Sequence, residues 1–244
     1  MRIDKIFISH WHADHFAGLL PLLETLHLCG REQPLEIYGP EARRFVKTLA
    51  SLSYWDVGFR LIPIECGRRK IERICESPEY EIFAIKVRHT VPAVGYAFIE
   101  RPHWRIDVKL AKKFGLAPGP LLAKIKKLGK IKLNRRTIKL EHIARRALGR
   151  KFVYSGDTLA HRPLFELARG ADLLIHDGTF IEPAPAAAHP SAQQIARLAK
   201  EYKIKKLVLV HLSRRYKTTA EIASAVRQIF KKAVLARDGM RIKL

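Results

Sequence analysis

Near the start of the chain, Ser9-His10-Trp11-His12-Ala13-Asp14-His15 puts three imidazoles and a carboxylate within six positions. Imidazole nitrogen and carboxylate oxygen are the donors that suit zinc and neighbouring first-row metals. A pair of such metals supports hydrolysis, by polarising a phosphoryl oxygen and acidifying water. The cluster follows an apolar run, Ile3-Asp4-Lys5-Ile6-Phe7-Ile8, that reads as a strand. If the alternation of a strand continues, His10, His12 and Asp14 point one way and His15 turns aside, so one short loop can feed two adjacent metals. A surface cluster or a purification tag is the bland alternative. Tags are homopolymeric and terminal, and this cluster follows a strand of the buried type.

The elements that must position these residues are mixed α and β. After the cluster, Leu19, Leu22, Leu23 and Leu26 recur at helical spacing. Leu35–Tyr38 reads as a strand closed by Gly39-Pro40, with a helix starting near Glu41. Further strands are expected at Phe59–Ile64, Glu81–Arg88, Val94–Ile99, Phe152–Tyr154, Leu173–His176 and Leu207–Val210. Ser191 is placed to cap a helix bearing Ile195, Leu198, Ala199 and Tyr202, and Thr218 with Glu221 spells a capping box for a last helix. Between Arg101 and Arg150 the pattern breaks into short helices and polar turns around Pro118-Gly119-Pro120. Several strands end in His or Asp: His89, Asp157, His176 and His211. Strand ends are where a rigid sheet holds functional loops. A lone histidine is more often structural than a ligand, and His27, His103, His142 and His161 are read as structural or solvent-facing.

Charge separates one segment from the rest. The 244 residues carry 46 Lys and Arg against 23 acids, a net +23. From Arg101 to Lys151 there are 17 basic residues and two acids, Asp107 and Glu141. Such a density favours a polyanionic partner. An anionic membrane surface ranks second, because the segment lacks a sustained amphipathic helix with large apolar anchors. Apolar runs are strand-sized, the start Met1–Lys5 has no signal-like region, and a cytoplasmic protein is expected. Cys29, Cys66 and Cys75, an odd set without CxxC, speak against a disulfide framework or zinc knuckle. No internal repeat is visible, and low complexity is confined to Pro183–Pro190.

The His-x-His-x-Asp-His pattern at residues 10–15 resembles the hallmark of the metallo-β-lactamase superfamily. Ribonuclease Z in particular is resembled by His89-Thr90-Val91-Pro92 with Gly95-Tyr96, by Ser155-Gly156-Asp157-Thr158, and by His211-Leu212-Ser213-Arg214-Arg215-Tyr216. The resemblance implies an α/β fold, an αββα sandwich with a dinuclear edge site, and one domain over 1–244 with 101–150 inserted as a basic protruding arm. It implies His10, His12 and His89 on one metal, Asp14, His15 and His211 on the other, and Asp157 bridging. The ions would be two zincs, with manganese or iron possible. Asp14 would also orient the attacking water, and His189 would donate a proton to the leaving oxygen. The arm, with Leu116–Pro120 similar to a family Gly-Pro region, would grip precursor tRNA through Gly119, Pro120, Lys124, Lys126 and Lys127. The implied reaction is removal of the tRNA 3′ trailer, leaving a 3′-hydroxyl, by a protein that is usually a homodimer.

Departures from the family pattern are specific. His176-Asp177-Gly178-Thr179 stands where the family has His-Glu-Ala-Thr, and His189-Pro190-Ser191 where it has His-Ser-Thr. Asp177 is assigned to orient His211 or His189. The family has about 50 residues before the His motif, room for two or more strands, so an N-terminally truncated sandwich is expected. Its first strand would then expose Ile6 and Ile8. Two other readings compete: another hydrolase of the same fold acting on a small substrate, and an inactive RNA-binding fragment. A small substrate gives no reason for a +15 insertion, and a full ligand set argues against loss of metal.

Overall fold

A computed structural model describes residues 3–52, 57–133, 136–182, 189–216 and 218–243. In chain order the first elements are β1 (Lys5–Phe7), α1 (Ala13–Phe16), α2 (Leu19–Leu28), β2 (Leu35–Gly39), α3 (Ala42–Ala50), β3 (Leu61–Glu65), β4 (Ile71–Glu76), β5 (Tyr80–Lys86) and β6 (Val94–Glu100). The basic segment holds β7 (His103–Ile106), α4 (Val108–Lys113), α5 (Pro120–Leu128), β8 (Lys130–Leu133), β9 (Arg136–Lys139) and β10 (Ala144–Ala147). The chain continues through β11 (Lys151–Tyr154), α6 (Arg162–Ala168), β12 (Leu173–Asp177), α7 (Ala192–Glu201), β13 (Leu207–Val210), α8 (Thr219–Ile229) and β14 (Ala233–Leu235). Residues 183–188 of the Pro183–Pro190 stretch lie outside the described residues.

The chain divides into two compact units. The first comprises residues 1–76, 81–98 and 151–244, the second residues 77–80 and 99–150. The first has two sheets. Strands β1-β2-β3 form a parallel three-stranded sheet, and the larger sheet runs β14-β13-β12-β11-β6-β5-β4, with β11 to β14 parallel. The sheets meet where Phe7 packs edge-on to Tyr96, centroids 5.4 Å apart, and where the Tyr96 hydroxyl donates to the Ile8 carbonyl at 2.7 Å. Outside the small sheet, Leu19, Leu23 and Leu26 of α2 and Val46 and Leu49 of α3 close a core with Ile8, Leu35 and Ile37. Outside the large sheet, Leu164 and Phe165 of α6, Ile195 and Ala199 of α7, and Ile222 and Val226 of α8 cover Val153, Leu174 and Leu209. The layers are α, β, β, α, and each helix lies there because its apolar stripe has a sheet face to cover.

Some expectations are corrected. Ile8 is buried, 7% exposed, and Ile6 is half-buried and packed on the same core, so the first strand does not expose them. Ser191 caps α7 by accepting from the Gln194 amide, but Thr218 makes no side-chain bond at the start of α8. Thr218 and Glu221 are exposed, so the free N–H groups there are open to solvent.

The second unit is more ordered than short helices and polar turns. Strands β7 and β10 pair antiparallel, β8 and β9 form a hairpin, and Ala111, Leu116, Ile125, Ile131, Ile138, Leu140 and Ile143 make a core of their own. Alternation in Lys130-Ile131-Lys132-Leu133 and in Arg136-Thr137-Ile138-Lys139 puts one apolar face on that core and leaves the lysines outside. At the base, the Glu100 amide donates to the Arg150 carbonyl at 2.9 Å, and the Arg150 guanidinium meets the Glu100 carboxylate at 2.9 Å. A Cβ at Gly149 would lie 1.7 Å from the Glu100 carbonyl oxygen, so only glycine permits this closure.

Candidate metal centre

The loops that follow the strands β1, β5, β11, β12 and β13 converge. After β1 the chain bends at Ser9, His12 is extended, and α1 starts at Ala13. The alternation expected for the cluster therefore holds for His10 and His12 only. Asp14 and His15 sit on a helical turn, which brings His15 back beside Asp14, Nε2 to Oδ2 3.5 Å. His15 does not turn aside: its Nε2 lies 3.3 Å from Asp157 Oδ2.

Two groups of three donors result. Ligand atoms of His10, His12 and His89 lie within 4.8 Å of one another, and so do those of Asp14, His15 and His211. In the first group His12 Nδ1 faces both His10 Nε2, at 3.1 Å, and His89 Nε2, at 3.2 Å. One ring nitrogen cannot pair well with both neighbours, whereas a cation accepts three converging lone pairs. Asp157, which is buried, stands between the groups. His10, His15 and Asp157 form a third such set, and Asp157 Oδ2 is also 3.2 Å from His211 Nε2.

The backbone explains how these groups come so close. Gly156 has φ +60°, and a Cβ there would lie 2.8 Å from the Ser9 Cβ, so glycine lets the Asp157 loop approach His10. Ser9 itself is buried, with its hydroxyl 3.1 Å from His10 Nδ1 and its carbonyl accepting from the Val94 amide at 2.9 Å. His211 adopts φ +57°, a left-handed conformation that residues other than glycine hold only where surrounding contacts enforce it.

Family models match two stretches of the chain: one described as Metallo-beta-lactamase superfamily matches residues 1–74, and one described as Beta-lactamase superfamily domain matches residues 141–212. The ribonuclease Z of Methanosarcina mazei is 36% identical over all of this chain and 82% of its own length. That of Thermococcus gammatolerans is 38% identical over 88% of this chain and 69% of its own length. The chain belongs to the ribonuclease Z family. With that family it is a metal-dependent endoribonuclease of the metallo-β-lactamase fold. Among solved structures, that of human tRNase Z, short form, superposes with a TM-score of 0.64 at 26% identity, covering 99% of this chain and 79% of that one.

Electrostatics of this ribonuclease Z site suit a cation. Burial, and then the charge of His15, push His10 down to about 4, so its lone pair is free at neutral pH, as metal ligation requires. Burial also lowers His89. The hydrogen bond to Asp157 raises His15 against the effect of burial. Burial alone would raise Asp157, but the bond from His15 and the charges of His211 and His15 outweigh it, and its net shift is downward. The donor set thus fits divalent metal.

Around the donors, one carboxylate organises two histidines. Asp177, fully buried at the end of β12, accepts from His189 Nδ1 through Oδ2 at 2.6 Å and from the Thr179 hydroxyl through Oδ1 at 2.6 Å. With its proton given to Asp177, the Thr179 hydroxyl accepts from His211 Nδ1 at 2.9 Å. Thr179 had no assigned role from sequence. Its readable signal was a hydroxyl two residues beyond a strand-end aspartate, where it can bond back to that carboxylate. His176 does not join the donors. It is buried against Phe165, its Nδ1 pairs with the Asp177 carbonyl at 2.8 Å, and burial pushes it down to about 4. Gly119 opens α5 with φ +157° and Pro120 takes its first position, while Lys124, Lys126 and Lys127 are exposed along it.

Proposed function

We propose that this chain removes the 3′ trailer from precursor tRNA, using two zinc ions held by seven side chains. Manganese or iron would fit the same donors. In this reading His10, His12 and His89 hold one ion, Asp14, His15 and His211 the other, and Asp157 lies between them. The observation that carries it is Asp157 Oδ2, 3.3 Å from His15 and 3.2 Å from His211 while grouped with His10. When bound, such a pair supplies Lewis acidity and a water acidified towards neutral pH.

The chain's own residues would do the rest. Asp14, more exposed than the other donors, orients the attacking water. Asp177 is an acceptor, so His189 carries its proton on Nδ1 towards Asp177 and keeps Nε2 for exchange with the leaving oxygen. Asp177 acts again through Thr179, aiming His211 Nε2 at its ligand position. A second role for His189 has its own support, since its ligand atom lies within 4.8 Å of those of Asp157, Asp177 and His211. As a ligand it would be lost together with metal; as an acid it would not.

Substrate capture is assigned to residues 101–150, as an inserted arm within one domain, with Gly119, Pro120, Lys124, Lys126 and Lys127 against the phosphate backbone. Seventeen basic residues against two acids from Arg101 to Lys151 support it. Among the described residues no helix is long and apolar enough to cross a membrane. A cytoplasmic homodimer is the proposed setting. The test is incubation with a 3′-extended precursor tRNA, with and without chelator, mapping both new ends. One chelator-sensitive cut leaving a tRNA 3′-hydroxyl is expected. Intact substrate in the presence of added metal would refute the assignment.

A further inference from the structure

A second basic surface lies within the first unit. A groove of about 650 Å³ is lined by Lys70 at the start of β4, Arg88 beyond β5, Ala160 to Pro163 at the start of α6, and Gln194, Arg197 and Glu201 on α7. Four of its side chains are exposed cations, and among the described residues only Arg162 of these meets an acid, Glu201 at 3.2 Å. Lys70, Arg88 and Arg197 make no ion pair among the described residues. Two of them act on His161, which burial and then the charges of Arg88 and Lys70 push below its ordinary value. Three uncompensated cations around one concavity repel one another, and an anion laid there would relieve that repulsion.

The groove is also tied to the metal donors through the backbone. Arg88 immediately precedes His89. Its amide donates to the Thr158 hydroxyl at 3.1 Å, and its carbonyl accepts from the Leu159 amide at 3.0 Å, beside Asp157. His161 follows Asp157 by four residues. The groove is therefore lined in part by the two loops that carry His89 and Asp157. The side chains that line it include no aromatic ring except that of His161. Stacking of unpaired bases calls for aromatic platforms, whereas Lys and Arg read the phosphate backbone.

We propose that this groove binds backbone phosphates of the RNA next to the cleaved bond, as a subsite distinct from the basic arm. The inference rests on the endoribonuclease reading. Two stretches of substrate offer the same chemistry, the acceptor stem on one side of the cut and the trailer on the other. The experiment compares wild type, the double variant Lys70→Ala with Arg197→Ala, and a control of equal charge change, Lys231→Ala with Lys232→Ala in the exposed turn before β14.

Binding is measured against salt, and cleavage on precursors with a one-nucleotide trailer and with a long one. Losing two phosphate contacts should reduce the slope of log K on log salt by about 1.4 for a single strand or 1.8 for a duplex, which is roughly a 15- to 30-fold rise in KM at 0.15 M salt. The control should match wild type, and kcat, melting temperature and hydrolysis of a small activated phosphodiester should not change. A defect on both precursors assigns the groove to the acceptor stem, and a defect on the long one alone assigns it to the trailer. A groove variant with the control's slope and KM on both would overturn the proposal. Failure of the underlying reading would look different, as wild type itself would leave both precursors uncut.

Discussion

Replacing Asp177 by Asn tests whether one buried carboxylate sets the state of two histidines. Its four bonds divide cleanly. Oδ1 accepts from the Thr179 amide at 3.0 Å and the Thr179 hydroxyl at 2.6 Å, and Oδ2 accepts from His189 Nδ1 at 2.6 Å and the Thr158 amide at 3.4 Å. In Asp177→Asn the amide oxygen can stay on the Thr179 side, so His211 keeps its support. The amide nitrogen then faces His189 Nδ1 and donates where an acceptor stood, which moves the histidine proton to Nε2. The variant should fold and hold metal, yet kcat on precursor tRNA should fall roughly 10²–10⁴-fold, the range for one acid–base group. Asp177→Ala is different in kind. It strands the Thr179 and Thr158 amides at about 1–3 kcal/mol each, a large share of the 5–15 kcal/mol that holds a typical domain. It also frees His211, so metal affinity should drop about 10–100-fold. Single-turnover cleavage, elemental analysis and a thermal melt, run on both variants, separate the effects. Wild-type kcat in Asp177→Asn would refute the reasoning, and so would equal metal loss in the two variants.

Three further outcomes are expected. Wild-type protein should carry two divalent metals per chain and Asp157→Ala fewer, by elemental analysis; a wild type saturating at one would contradict the dinuclear reading. Replacing residues 103–149 by a short linker, across the ends that Glu100 and Arg150 already hold together, should abolish tRNA cleavage but spare a small activated phosphodiester; unchanged tRNA affinity would remove the arm from substrate capture. Metal-stripped protein should lose stability as pH falls from about 6.5 towards 4, because His10 and His176, at about 4 when folded, take up protons only on unfolding. The raised His15 works the other way, stabilising at low pH and losing that effect as pH rises through its folded value; denaturant midpoints that do not drop between pH 7.5 and pH 5 would count against the burial of those two rings.

The sequence was most legible where local pattern and tertiary role coincide. β13 is an unbroken Leu207–Val210 run because it is paired on both sides, and α7 shows its cap and its apolar stripe. The donor cluster was readable as chemistry, but its geometry was not, since the turn at Ala13 replaces strand alternation and redirects His15. Strands β4 and β14 escaped because Ile71-Glu72-Arg73-Ile74-Cys75-Glu76, an edge strand with an irregular register at Arg73–Cys75, breaks the two-residue alternation, and Ala233–Leu235 is only three residues long. The hairpin of β8 and β9 was hidden by its lysines, which made a two-residue period look like polar turns. Thr179 could not be found from spacing alone, because its partners lie two and 32 residues away and only the sheet joins them.

The insertion also sets a kinetic problem. Strands β6 and β11 are neighbours in the large sheet, although about fifty residues separate them in sequence. Joining the ends of an unstructured loop of that length costs about 3.5 kcal/mol, from the logarithmic dependence of closure entropy on length. If the inserted segment collapses first on its own Ile125–Ile143 core and clasps Glu100 to Arg150, the two strands are delivered side by side and the loop is already closed. The order of events then runs from inside the insertion outward. A cavity such as Ile143→Ala, in a unit that contributes none of the metal donors, should slow refolding of the sheet that carries them, while unfolding in denaturant speeds up less.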